Sequence, residues 1–465
     1  LLNKFIDQGG NLVVLSKLNF VDGKEDSKAL ERINAKFQSP ESFSNEQITS
    51  SPLITQTDTN PVSLYHHRRK LDSGELLFLT NTSLEHPISL SVPVGFKHVY
   101  RMDLFSGKVS QVRGFQDKGL SLDLNPVESA MYFLTNEHQT YPPTSELPKA
   151  QGDLINTPTS VVYHQPNVLT VDFCDLIIDG QRQAGKYVFE ANDTLFKYFG
   201  FKDGNPWNTS VQFKDQTIKR DTFAKNHDLQ IDYHIQVSSD FKGKDLQIAI
   251  ERDSLWEIYF NDKPIDRDPQ GWFIDKDIKT YKIPAVRPGA NTLSLRRKGM
   301  SIYAEIEPVY VLGDFAAEPT SGGWRVARPV APTLGSWKEN GRPLYGFSAG
   351  YRKKLQVQPS KKYLLKLQDW KGTAAVVKVN GQLVGDASYP PFELVLPELK
   401  PGENEIEVIV VGALKNTLGP FHNNPAPGLV SPWHFRNVSG KKSGQEYQIH
   451  DFGLLQDFQI LEFSE

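Results

Sequence analysis

The pentapeptide 346-GFSAG-350 has the Gly-x-Ser-x-Gly spacing of a nucleophile elbow. In that device a serine on a sharp strand-to-helix turn exposes its hydroxyl to a histidine base. Here the following residues, 351-YRKKLQVQ-358, alternate as a strand rather than a helix. Partners of the right type stand downstream at Asp369 or Asp451 and at His422 or His450. The turn context is nevertheless missing, so the expectation is a chance match in a turn-rich chain, with an esterase using Ser348 as the alternative.

The stretch 266-DRDPQGWFIDKD-277 sets Asp266, Asp268, Gln270, Gly271 and Asp277 at positions one, three, five, six and twelve of an EF-hand loop. Ile274 occupies position nine, where an oxygen is needed, and Asp replaces the bidentate Glu, so an EF-hand is excluded. A non-helical structural calcium at Asp266, Asp268 and Asp277 remains the one cofactor expectation, against a plain solvated acidic loop. The eleven histidines show no His-Glu-x-x-His spacing, and His66-His67 beside Arg68 and Arg69 reads as a solvated turn.

Sugar recognition sets an aromatic face against the apolar face of a pyranose and forks planar polar groups onto its hydroxyls. Trp207 and Trp272 stand among turn formers and are surface candidates. The other tryptophans are mostly assigned to cores. The segment 416-NTLGPFHNNPAPGLVSPWHFR-436 collects Phe421, His422, Asn423, Asn424, Trp433, His434 and Arg436 with four prolines, and reads as a sugar-facing loop or a plug between domains. Glycoside hydrolysis needs a pair of opposed carboxyl groups. No series of βα units is present to hold one as a barrel would, so no catalytic acid is nominated.

The elements that position these residues are mostly strands. Among 465 residues, 34 are glycine, 30 proline and 11% aromatic, which favours short strands joined by turns. A formal charge of −3 speaks against nucleic acid as a partner. No run of eighteen apolar residues spans a membrane. The lone Cys174, in 168-VLTVDFCDLII-178, rules out an internal disulfide and reads as a small buried hydrophobe.

The opening 1-LLNKFIDQGGNLVVL-15 reads as a helix end, a Gly-Gly stop and a buried strand, so the chain is expected to begin inside a larger protein. A short helix over 24–39 and a linker complete an α/β remnant at 1–60. A small sandwich is expected over 61–145 and two jelly rolls over 155–318 and 325–465, joined at Pro319, Gly322 and Gly323. The evidence for two copies is a repeat. In one, 256-WEIYFNDKPI-265 precedes 288-PGANTLSL-295; in the other, 375-AVVKVNGQLVG-385 precedes 401-PGENEIEVIV-410. Asn-Asp or Asn-Gly suits a tight hairpin, and Pro-Gly the turn that feeds the next strand.

This pattern resembles the jelly-roll, galactose-binding-like domains that accompany glycosidases. The strings 167-NVLTVDFCDLIIDG-180, 199-FGFKDGNPWNTSVQFKD-215, 271-GWFIDKD-277, 305-EIEPVYVLGDF-315, 416-NTLGPFHNNP-425, 430-VSPWHFR-436 and 451-DFGLLQDF-458 narrow the likeness. Together they are similar to the C-terminal part of glycoside hydrolase family 106, the α-L-rhamnosidases. The resemblance implies a non-catalytic accessory region bracing a barrel that precedes Leu1, contact with rhamnose-containing polysaccharide, and a periplasmic or secreted location. The alternatives are a free-standing carbohydrate-binding or adhesion protein and a complete sandwich-type hydrolase.

Overall fold

The computed structural model describes residues 63–104, 107–113, 119–143, 153–208, 214–243, 245–359, 361–418 and 440–463, with short pieces before residue 63. The chain is mainly β and divides into two compact units, Leu1–Glu146 and Leu147–Glu465. Among the described residues no helix is long and apolar enough to cross a membrane.

In the first unit, helix Leu2–Asp7 precedes a two-residue strand, Val13–Val14, that pairs in parallel with Lys36–Phe37. Parallel pairing fits the end of an α/β layer. At the two ends of the expected helix over 24–39, Lys24–Glu25 and Lys36–Phe37 are strands, held by ladder pairing; Leu30 and Ile33 lie outside the described residues. The small sandwich follows. Strands Leu64–Leu71, Gly74–Asn81, Ser129–Thr135, His98–Met102 and Val109–Gln111 form one antiparallel sheet, and Leu120–Leu124, Ile88–Val92 and Thr55–Gln56 form the other. The period-two pattern puts Leu77, Leu79, Val99, Tyr132 and Leu134 on the face that meets Ile88, Leu90 and Leu120. His66 and His67, expected in a turn, instead lie in strand Leu64–Leu71.

The second unit holds two sandwiches. In the first, a five-stranded sheet (Asn167–Val171, Val309–Gly313, Gln247–Glu251, Asp275–Lys282, Gly271–Phe273) faces an eight-stranded one. The backbone of the larger sheet is Gln181–Tyr187, Phe173–Ile178, Asp228–Val237, Gly289–Lys298 and Glu257–Phe260. Helix Val188–Tyr198 packs Val188, Ala191, Leu195 and Phe196 into the same core. The second sandwich pairs the sheet Ser160–Tyr163, Ser348–Val357, Gly402–Val411, Ala374–Val379, Gln382–Asp386 with Asp153–Leu154, Gln459–Phe463, Lys362–Lys366, Glu393–Val395.

Two placements differ from the sequence reading. Pro319, Gly322 and Gly323 do not join the sandwiches. They belong to the hairpin of Ala316–Thr320 and Gly323–Ala327, whose second strand adds in parallel to Asp228–Val237. Residues 153–163, assigned by order to the first jelly roll or its approach, pair instead with Gln459–Phe463 and Ser348–Val357 of the second. The repeat is seen in the backbone: Asn261 and Asp262 take φ of 49° and 62°, and Asn380 and Gly381 take 50° and 79°. These are the left-handed values that two-residue hairpins require.

Candidate ligand cleft

The corner between Asn167–Val171 and Phe173–Ile178, the outer face of Asp228–Val237 and the hairpin at 316–327 surround a cleft of about 30 Å³. Its chemistry comes from Asp172, His234, Gln236, Trp324, Lys441 and Tyr447. Inward positions of Asp228–Val237 carry Leu229, Ile231, Tyr233 and Ile235, so alternation sends Asp232, His234 and Gln236 outward. The hairpin then brings Trp324 beside them.

The cleft's far wall is residues 441–447. Ser443 and Glu446 form a capping box: the Ser443 hydroxyl accepts from Gln445 N, and Glu446 accepts from Ser443 N at 3.0 Å. Gly444 lets this turn sit on the hairpin, since a Cβ there would lie 2.4 Å from Gly323 O and 2.9 Å from Pro319 Cα. Tyr447 meets Trp324 edge to face at 5.8 Å. Burial pushes the Tyr447 hydroxyl up, with nearby Asp172 and Tyr187 adding to it, so it stays protonated as a hydroxyl group.

Two features mark the cleft as able to hold a polar group. The half-buried Trp324 keeps its Nε1 away from solvent with no hydrogen-bond partner, an arrangement that costs about 1–3 kcal/mol if nothing fills it. His234 is fixed: its Nε2 lies 2.7 Å from Asp175, which also receives Arg182 and, at 2.7 Å, Gly185 N. Burial alone would raise the Asp175 carboxyl, but the hydrogen bonds from His234, Arg182 and Gly185 bring it below its usual value. Alongside, Asp232 accepts from Ser294 at 2.6 Å and Gln230 at 2.8 Å. The volume admits one hydroxyl-sized group, so a larger ligand would lie across this polar sheet face with one substituent inserted.

The sequence candidates sit elsewhere. Trp207 is half-buried and tied down by its Nε1 bond to Ile302 O at 2.7 Å and by stacking on Tyr303. Trp272 is 56% exposed on edge strand Gly271–Phe273. Neither lines the cleft. Phe421, His422, Asn423, Asn424, Trp433, His434 and Arg436 lie outside the described residues. Asp266 and Asp268 stay in an exposed loop, with Asp268 N on Asp266 Oδ1 at 3.3 Å. Asp277 lies beyond a tight reversal at Ile274, φ 63°, inside strand Asp275–Lys282. Among the described residues no three His, Cys, Asp or Glu side chains gather as a metal cage, these three included. On sequence Trp324 carries no site role, among tryptophans read mostly as core. A signal for it exists in 320-TSGGW-324, a glycine turn presenting an aromatic, but its partners come from three distant segments.

The least ordinary carboxyl group is Glu307. Burial, then Glu305 and Glu251, push it up to about 8. Glu305 beside it is held by Asn205 at 2.8 Å and Arg252 at 3.0 Å.

No protein-family model and no curated protein sequence matches the chain. Solved structures similar to it include a rhamnosidase from Novosphingobium sp. PP1Y, 12% identical over 93% of this chain and 27% of that one, TM-score 0.38. A β-D-mannosidase from Dictyoglomus thermophilum is 13% identical over 53% and 31%, TM-score 0.22. A Streptomyces avermitilis α-L-rhamnosidase complexed with L-rhamnose is 11% identical over 85% and 32%, TM-score 0.22. The chain spans less than a third of the length of each. At these scores the likeness decides nothing about fold or function.

Proposed function

We propose that this chain is an accessory region of a glycosidase resembling the α-L-rhamnosidases, one that does not itself cleave glycosides, working beside a catalytic domain and contacting rhamnose-containing polysaccharide. The observation that carries the reading is the cleft. An indole whose N–H has no partner, a fixed imidazole, an amide and a lysine line a hydroxyl-sized space at the edge of a polar sheet face, the mix of donors and aromatic surface that a neutral polyol uses. The near-neutral net charge agrees with an uncharged ligand, and the ordered family-106-like strings support the choice of sugar.

Electrophoresis of the chain through gels containing rhamnose-rich polysaccharide, with an aryl α-L-rhamnoside assay in parallel, tests it. Retardation without release of the aryl alcohol is expected. Unretarded migration would remove the binding role, and hydrolysis lost on no tag or buffer control would make the chain an enzyme in its own right.

A further inference from the structure

In the sequence the Ser348 motif lacks the helix that should follow a nucleophile elbow. The structure agrees that Ser348 opens strand Ser348–Val357, yet it supplies a base that sequence did not suggest. Asp451 is occupied by Ser336 and Lys338, and His450 bonds through its backbone to Asn416. The histidine beside Ser348 is His164, just after strand Ser160–Tyr163, whose Nδ1 lies 3.0 Å from Ser348 Oγ. On the far side of the ring, Nε2 lies 3.6 Å from Oε1 of Glu407, a buried carboxylate on strand Gly402–Val411 that also receives Arg352 Nε at 2.8 Å. A carboxylate facing Nε2 favours the tautomer protonated there, which leaves Nδ1 free to accept the serine proton.

The second glycine of the motif makes this possible. A Cβ at Gly350 would lie 2.2 Å from Glu407 Oε1 and 3.1 Å from His164 Nε2, so only glycine lets the imidazole and carboxylate lie flat across the strand. Tyr345 has one hydroxyl proton and two acceptors, Ser348 O at 2.8 Å and the Gln165 side-chain amide at 3.0 Å. The Gln165 Oε1 that accepts from Tyr345 also lies 3.5 Å from Ser348 Oγ, so it can hold the hydroxyl in place. Ser348 is half-exposed, and Val162, 38% exposed on the same face, offers an apolar contact for a short acyl chain.

We propose that Ser348, His164 and Glu407 form a serine-hydrolase site for small acyl esters, separate from the ligand cleft. Ser348 Oγ bonds to the acyl carbon as its proton passes to His164 Nδ1. The C–O bond to the alcohol then breaks, and the departing oxygen takes that proton. Water, deprotonated by His164, releases the carboxylic acid and restores the serine. Ser348 and His164 are the catalytic residues, and Glu407 is a positioning residue.

The test is p-nitrophenyl acetate turnover by the full chain, with a fluorophosphonate label mapped by mass spectrometry. Expected are label on Ser348 and loss of turnover by about a hundredfold or more in Ser348→Ala and in His164→Ala. Glu407→Gln should lower turnover while leaving Ser348 labelled, and should change the pH profile. Turnover equal in wild type and Ser348→Ala, or no label on Ser348 in the wild-type chain, overturns the proposal; the labelling arm needs no variant to fold.

Discussion

Asn380 donates a side-chain hydrogen bond to Asn404 at 2.9 Å, and Asn261 donates the same bond to Asn291 at the same distance. In each copy the second asparagine, from the Pro-Gly-x-Asn motif, also donates back across its own turn, Asn404 to Lys400 O and Asn291 to Arg287 O, both at 2.8 Å. The recurring asparagines thus clamp hairpin and turn together in both sandwiches. Asn404→Ala removes the bonds to Lys400 O and Gly402 O and the acceptor of Asn380, and is expected to cost about 1–3 kcal/mol in urea unfolding. Adding Asn380→Ala should cost less than the sum of the single changes, because the two share one bond. Strictly additive losses would show that the clamp is not a unit.

Glu307 makes stability depend on pH in an unusual direction. Its folded-state value, about 8 against an ordinary 4.5, means the folded chain holds a proton that the unfolded chain has released. Stability from this group therefore falls as pH rises from near 4.5 to near 8. Glu307→Gln, which mimics the protonated form, should raise the melting temperature at pH 8 by about 2 °C or more and leave it unchanged at pH 4.5. An equal shift at both pH values would assign the effect to packing.

Cys174 is 1% exposed, and burial, followed by Asp175 and Asp232, pushes its thiol far up. It is therefore expected to resist a disulfide reagent in the native state and react only as the sandwich opens. Rapid native-state labelling would contradict its place in the core.

What sequence made legible was local. Asn-Gly, Asn-Asp and Pro-Gly fix backbone signs within a few residues, so the repeat and its turns were readable, as was Cys174 as a buried hydrophobe. Partner choice between strands was not. Ser160–Tyr163 pairs with Ser348–Val357 across nearly two hundred positions, and no local pattern reports such a pairing. The same limit hid both sites. Asp172, His234, Trp324 and Tyr447 meet only because a hairpin adds to one sheet and a capped turn docks upon it. His164 reaches Ser348 only because its strand belongs to the other sandwich. Ile274 shows the converse: correct spacing of Asp266, Asp268 and Asp277 gave no cage, because a left-handed residue reverses the chain before the last aspartate.

In the proposed function the Trp324 cleft takes a sugar hydroxyl group. Isothermal titration of a rhamnose-containing oligosaccharide into the chain, repeated with Trp324→Phe, tests it most directly, since phenylalanine keeps an aromatic ring and removes only the indole and its Nε1 donor. The account predicts a dissociation constant of about 1 mM for the wild type. It predicts affinity weakened about fivefold or more in the variant, the loss of one hydrogen bond. Equal affinity in both proteins, or no heat from either at saturating oligosaccharide, would contradict it.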